Sequence, residues 1–387
     1  MNLKLGHDGW SVAHTRRYRM SAKKSSVVTF ASSKVKELRR HATLPVKFEK
    51  QLARYPLDKM FHDKQVAIKI HVGSDIGFTT IHPLFIRIVV EAVKKAGGNP
   101  FITDGSGAMH HAKGRGYTEE VLGAPLIAAA GIANTYSYER KIGYRSLKSV
   151  HLCGNIVDAD AMIVLSHGKG HGNSGFGAAI KNLAMGCVAR DSRGQIHRLQ
   201  GQQFKWDSDK CTRCRACVEN CPSAGAITFD AQRNLHYFDH HCRYCRHCEL
   251  ACPKGAIKID SKGTYYFQRG MALTTKAILD TFEPDRVLFI NVMLNITPFC
   301  DCWGFSTPAL VPDVGILAST DIVAVEQASL DLVRTEDFIA SSLPKSMKLG
   351  KGNHLFERIH GKDPYLQVQC AEEIGLGSRV YSLKTIG

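Results

Sequence analysis

The sequence predicts an α/β protein: a parallel-sheet core domain interrupted by a small α+β unit rich in cysteine. Three observations carry this. Short apolar strands alternate with amphipathic helices in the first half of the chain, the signature of βαβ units. The same alternation resumes in the last third. Between the two, eight of the 13 cysteines fall within residues 211–252.

The elements follow in order. Residues 65–71 (QVAIKIH) read as a strand that ends at Gly73. Residues 81–96 read as a helix, capped near Thr79 and Thr80 and closed by Gly97 and Gly98. Residues 100–104 give the next strand and 161–166 another. Residues 176–185 read as a helix behind a glycine-rich turn. Beyond the cysteines, 286–291 and 315–319 read as strands and 321–333 as a helix. The simplest architecture has a basic N-terminal extension (1–25), a first part of the α/β core (26–203), the cysteine unit (204–262) and a second part of the core (263–387). Two separate α/β domains are the alternative.

Composition narrows the function. At 44% hydrophobic and 22% charged residues, the chain is that of a globular protein. No run of about 18 apolar residues is present, so no membrane-spanning helix is expected. Arg16, Arg17 and Arg19 are not followed by an apolar segment, so they do not make a secretory signal, and Met20 is an alternative start. The net charge of +16 is uneven, since residues 1–62 hold 14 Lys and Arg against 4 Asp and Glu. This reads as a solvated basic leader. A nucleic-acid partner is disfavoured because no recognition motif accompanies the charge.

Cys211, Cys214, Cys217 and Cys221 form C-x2-C-x2-C-x3-C, followed by Pro222. Cys242, Cys245, Cys248 and Cys252 repeat the pattern 31 residues later, followed by Pro253. This is the two-cluster bacterial ferredoxin spacing, in which the fourth cysteine of each run serves the other cluster. One [4Fe–4S] cluster is therefore expected on Cys211, Cys214, Cys217 and Cys252. The second is expected on Cys242, Cys245, Cys248 and Cys221. Zinc sites use paired cysteines rather than two triplets. A disulfide framework needs a secreted context, and thiolate clusters favour a cytoplasmic one. Arg215 and Arg246 stand where such loops often carry Gly, with Arg213, His240, His241, Arg243 and His247 nearby. Either these cations raise the cluster potentials, or they point to water.

The other informative stretch is residues 166–187, SHGKGHGNSGFGAAIKNLAMGC. Its glycines and a following helix N-terminus could cradle an anion at the carboxyl end of a strand. His167, Lys169, His171, Lys181 and Asn182 supply donors and acid/base groups; Lys69, His71, Asp104 and Asp321 are expected at other strand ends. A glycine-rich connection with a helix cap is the alternative. Cys300 and Cys302 could bind a metal, exchange disulfides or simply pack, and with Cys187 could form a third redox or metal site. Cys153 and Cys370 read as small buried residues.

Several long stretches resemble the iron–sulfur centre proteins of the domain-of-unknown-function 362 family. They are KIHVG at 69–73, LSHGKGH at 165–171, GFGAAIKNLAMGC at 175–187, ITPFCDC at 296–302, DVGILAS at 313–319 and QASLD at 327–331. Ala178 and Ala184, and the two loop arginines, depart from the family pattern. The resemblance implies an iron–sulfur redox protein and no particular reaction.

Two functions follow from the sequence. In a ferredoxin-coupled oxidoreductase, the clusters feed a substrate in the α/β crevice, where Lys181, His167 and His171 bind or protonate it and Cys300 or Cys302 assists. In an electron-transfer adaptor, the α/β body docks a redox partner protein, for which an acidic ferredoxin is the expectation. A small anionic substrate suits the first.

Overall fold

The computed structural model describes residues 25–105, 109, 111–201, 204–221, 223, 225–238, 242, 244–260, 262–303, 308–345, 347 and 349–387. Of the basic extension over 1–25, residues 1–24 lie outside them, as do Pro222, His240, His241 and Arg243.

Eight strands form one sheet: β1 (Ser26–Ser32), β2 (Gln65–Lys69), β3 (Asn99–Asp104), β4 (Leu126–Ala128), β5 (Ala161–His167), β6 (Val287–Met293), β7 (Gly315–Ser319) and β8 (Tyr381–Ile386). Their spatial order is β8-β1-β7-β6-β5-β2-β3-β4. Strands from both sides of the cysteine unit thus share one sheet. β4, β3, β2, β5 and β6 are mutually parallel, and β7 runs antiparallel to both β6 and β1. The side-chain period of 2 sends alternate residues to two cores. Ile68, Ile163 and Ile290 face one, while Ala67, Met162 and Phe289 face the other. Both faces are covered, so β5 is buried along its whole length, as parallel strands require.

The helices that matter for the site are α1 (Pro83–Lys95), α2 (Ala179–Gly186), α3 (Lys262–Leu279) and α4 (Ile322–Asp331). α1 begins at Pro83, and its cap is His82, whose ring accepts from Leu84 N at 3.2 Å. Thr79 and Thr80, the expected caps, are spent elsewhere: Thr79 Oγ1 donates to Asp301 Oδ1 at 3.2 Å and Thr80 Oγ1 to Gly77 O at 3.2 Å. Gly97 closes α1 at φ +78°, as the sequence suggested.

Residues 169–177 differ from expectation. Lys169–His171 and Gly175–Gly177 pair as a two-stranded hairpin, and the helix starts only at Ala179. Among the described residues, no helix is long and apolar enough to cross a membrane.

Residues 204–260 return to their starting point. Phe204–Trp206 pairs antiparallel with Ile257–Ile259, so the segment enters and leaves side by side. Ile227–Phe229 and Leu235–Tyr237 form a second pair. A small separate core holds Cys217, Ile227, Cys248, Ile257 and Ile259.

Candidate functional site

Strand order reverses between β2 and β5: β3 and β4 continue to one side of β2, and β6 continues to the other side of β5. Ligand crevices form outside the carboxyl ends of strands at such a point. A cavity of about 190 Å³ opens there, lined by Lys69, His71, Asp104, His171, Lys181 and Cys300 among others.

Its floor is a buried ion pair. Lys69 Nζ donates to Asp104 Oδ1 (2.9 Å), Asn182 Oδ1 (2.6 Å) and Ile70 O (2.6 Å), which uses all three protons. Gly186 makes this packing feasible, since a Cβ there would stand 2.3 Å from Lys69 Nζ. Burial alone would raise the Asp104 carboxyl, but the charge of Lys69 and the bond to His71 hold it well below the usual range. Asp104 Oδ2 accepts from Val72 N at 3.1 Å and faces His71 Nδ1 at 3.2 Å.

At the other end of the cavity stands Cys300. Lys181 Nζ lies 3.1 Å from its sulfur and 3.8 Å from that of Cys302. His71 Nε2 stands 3.8 Å from Cys300 Sγ, and Cys302 N donates to it at 3.4 Å. Burial pushes the Cys300 thiol up. Hydrogen bonding with Cys302, the charge of Lys181, and bonds from His171 and His71 together bring it well below its ordinary value. His171 is the opposite case: burial, then the Lys181 charge, lowers it to about 4. Its Nδ1 accepts from Asn173 N at 3.2 Å, so the neutral ring carries its proton on Nε2.

His167 is placed differently from its expected role. Nδ1 lies 2.9 Å from Asp301 Oδ2 and Nε2 lies 2.7 Å from Leu294 O, so both nitrogens are occupied by acceptors. Lys169 Nζ adds a 2.8 Å contact to the same Asp301 oxygen. These groups anchor the chain between Cys300 and Cys302.

Four further expectations are corrected. Gly168, Gly170 and Gly175 make room for protein backbone and side chains: a Cβ at Gly170 would meet Pro298 O at 2.3 Å, one at Gly168 the Met293 sulfur at 2.1 Å and one at Gly175 Lys362 O at 2.9 Å. The N-terminus of α2 is filled by Glu326 Oε1, which accepts from Ala179 N at 2.5 Å and Ile180 N at 3.4 Å, so it offers no anion cradle. Asp321 is not in the crevice, because β7 runs antiparallel and delivers it to the opposite edge of the sheet. There it caps α4 through Val323 N (2.9 Å) and Ala324 N (3.0 Å). Cys187, like Cys153 and Cys370, lies in the larger core. His71 takes the place expected for Cys187 beside Cys300 and Cys302.

The cysteine unit carries the repeat into three dimensions. Cys211, Cys214, Cys217 and Cys252 line one small cavity. Burial, then the charges of Cys245, Cys242, Cys221 and Cys217, raises the Cys248 thiol. The two loops share a backbone. Arg213 and Tyr244 have φ of 57° and 52°, and Arg215 and Arg246 have 65° and 64°. This left-handed geometry is why glycine suits the latter pair of positions. Arg213 N donates to Cys211 Sγ at 3.4 Å, and Tyr244 N to Cys242 Sγ at 3.3 Å.

The second loop is docked on the crevice wall. Arg246 donates to Glu249 Oε2 (2.7 Å) and Gly361 O (2.8 Å). Lys362 Nζ joins Tyr244 O to Gly172 O. His247 lies 3.2 Å from His360 Nδ1, and its ring sits 5.1 Å from that of Phe299, the residue before Cys300. His360 Nε2 faces Pro298 O at 2.6 Å. Sequence reading did not find His360 or Lys362, because nothing in their local sequence marks them; only the fold brings them to the cysteines.

The family model described as "Domain of unknown function (DUF362)" matches residues 66–331. The chain belongs to the DUF362 family. In this DUF362 protein the matched region spans β2 to α4, and so takes in both the crevice and the cysteine unit. Among curated proteins, none matches the sequence. A weak structural neighbour is the lactate racemase apoprotein from Thermoanaerobacterium thermosaccharolyticum, with a TM-score of 0.35 and 10% identity over 74% of this chain and 53% of that one. The DUF362 protein thus spans about half the length of that neighbour.

Proposed function

We propose that this DUF362 protein is an iron–sulfur oxidoreductase that passes electrons through two [4Fe–4S] clusters to a small anionic substrate in the crevice. Cys211, Cys214, Cys217 and Cys252 would hold one cluster, and Cys242, Cys245, Cys248 and Cys221 the other, in an inserted ferredoxin domain over 204–262. The fit rests on the donor set: all eight thiols are free, and four of them line one cavity. The clusters supply one-electron transfer.

One observation carries the reading. The second loop packs through His247 and Phe299 onto the segment that bears Cys300, so the cysteine unit is joined to the crevice rather than tethered beside it. The first loop faces outward, with Cys214 and Arg215 exposed. Arg215, Arg233 and Lys254 give its surroundings a positive charge, which suits an acidic donor such as a ferredoxin. Electrons would enter at the first loop and leave at the second. In the crevice, Lys181 Nζ offers the charge for an anionic group, and the neutral ring of His171 offers a hydrogen bond from Nε2.

The test is anaerobic purification, with iron and acid-labile sulfide counted and EPR recorded before and after dithionite. About eight of each per chain, with two interacting reducible centres, is expected. Four or fewer in a folded preparation overturns the reading. Small carboxylates and phosphates should then shift the potential of one centre; if both stay fixed, the adaptor role replaces the oxidoreductase.

A further inference from the structure

We propose that the crevice also contains a mononuclear metal site: His71 Nε2, Cys300 Sγ and Cys302 Sγ bind one divalent ion of the zinc class, leaving one coordination position open to the cavity. The ligand atoms of these three residues all lie within 4.8 Å of one another. None is among the eight cysteines of the two loops, so the site stands or falls apart from the clusters.

Its local construction follows from the sequence Cys300-Asp301-Cys302. Asp301 is the anchor. Its carboxylate is held by Thr79, His167 and Lys169, and its carbonyl accepts from Ser74 N at 3.1 Å. With the middle residue pinned on one side, the two flanking thiols are presented together to the cavity, which both line. Thr297 Oγ1, donating to Phe299 O at 2.7 Å, and Gly170 N, donating to Thr297 O at 2.9 Å, fix the approach to the motif.

Two details distinguish this group from thiols that merely pack. First, His71 has the outer partner of a metal-bound histidine. Its Nδ1 faces Asp104 Oδ2 at 3.2 Å, and Asp104 is itself fixed by Lys69 and Val72 N. Such a carboxylate orients the ring and leaves Nε2 as the donor atom, and Nε2 is the atom that faces Cys300. Second, Cys302 N donates to Cys300 Sγ at 3.4 Å. The same bond, from the amide two residues on, occurs at the first cysteine of both loops, at 3.4 and 3.3 Å. The amide two residues on thus points at Cys300 Sγ as it does at Cys211 and Cys242, although Cys302 lies in a short 3-10 turn, Asp301–Trp303, rather than in the left-handed conformation of Arg213 and Tyr244.

Thiolate and imidazole donors select zinc-like ions over magnesium or calcium. Three protein ligands with a fourth position free are the pattern of a catalytic rather than a structural site. Two thiolates and a neutral imidazole balance a divalent charge. Lys181, 3.1 Å from Cys300 Sγ, is then surplus positive charge beside the open position. An oxygen of an anionic ligand, such as a carboxylate, is the chemistry this pair would take.

The experiment is to incubate the protein anaerobically with zinc chloride, remove free metal by gel filtration, count zinc and record X-ray absorption at the zinc edge. One zinc per chain is expected, with two sulfurs at about 2.3 Å and nitrogen or oxygen at about 2.0 Å. Cys300→Ser and Cys302→Ser should retain less than a tenth of it, and Asp104→Asn should weaken binding about 10- to 100-fold. Cys214→Ser should retain the crevice zinc. Zinc retained in full by Cys300→Ser, a shell of four sulfurs, or no zinc on folded wild-type protein overturns the site. If Cys300→Ser does not fold by circular dichroism, the wild-type absorption spectrum and His71→Ala decide the matter. Iron content is counted in the same samples, so a failure of the cluster reading is seen separately.

Discussion

Cys214 and Cys245 occupy the same place in a 31-residue repeat, yet Cys214 is exposed and Cys245 is buried. The next position tells the same story. Arg215 is exposed, whereas Arg246 is half-buried and bonded to Gly361 O. One position further, Ala216 is matched by His247, which is buried against Phe299 and His360. The backbones of the two loops agree to within a few degrees at their left-handed residues. A motif thus sets what a loop can bind, while the surface it packs on sets what that loop can be connected to. On the function proposed above, the exposed first loop would meet the redox partner, while the second packs beside the crevice.

The largest test of this difference compares Cys214→Ser with Cys245→Ser. Each should lower iron from about eight to about four per chain. Only Cys245→Ser should also lower the melting temperature of the body by several degrees, because its loop is part of the body's packing. Equal melting temperatures, read by calorimetry on anaerobic samples, would remove the distinction.

Glu326 calibrates the body away from both loops. Burial raises its carboxyl to about 7, against the amides of Ala179 and Ile180 and the Asn291 side chain, which lower it. Its folded value therefore lies above its unfolded one. The stability it contributes is complete below the ordinary carboxylate value and is lost as pH rises through about 7. Glu326→Gln keeps the acceptor for Ala179 N and has no such loss. Between pH 5 and 8 it should gain on the wild type by roughly 2–3 kcal/mol, measured by denaturant unfolding. A parallel pH dependence in the two proteins would refute the assignment.

Converting the second loop toward the first is the next step down in size. His247→Ala should cost about 2 kcal/mol through lost ring packing while leaving the iron count at about eight. Ala216→Gly, at the matching place, should cost no more than about 1 kcal/mol. If the two changes cost the same, His247 does not hold the loop to the body.

The smallest effect separates the arginines. Glycine removes the penalty of a left-handed residue, roughly 1 kcal/mol. Arg215→Gly should therefore stabilise by about that much, whereas Arg246→Gly also loses the bonds to Glu249 and Gly361 and should not. Redox titration of the same pair tests the electrostatic role: the potentials should fall in both, and unchanged potentials would leave the arginines without one.

What the sequence determined on its own is what is local. The cysteine spacing and its repeat, the strands read at 65–71, 100–104 and 161–166 and found at 65–69, 99–104 and 161–167, and the Gly97 stop of α1 all rest on contacts among near neighbours in the chain. Lys69, His71, Asp104 and Lys181 could be named as strand-end or helix residues on the same ground. The tertiary structure decided what depends on distant partners. The antiparallel course of β7 removed Asp321 from the crevice. Glu326, 147 residues from Ala179, filled the helix end that looked ready for an anion. Glycines that looked open to a ligand were already packed against Pro298 and Met293. His360 and Lys362, more than a hundred residues from the second loop, fixed it to the body. Periodicity and spacing encode short-range geometry, whereas burial, strand direction and the occupancy of a hydrogen-bonding group are set only when remote segments meet.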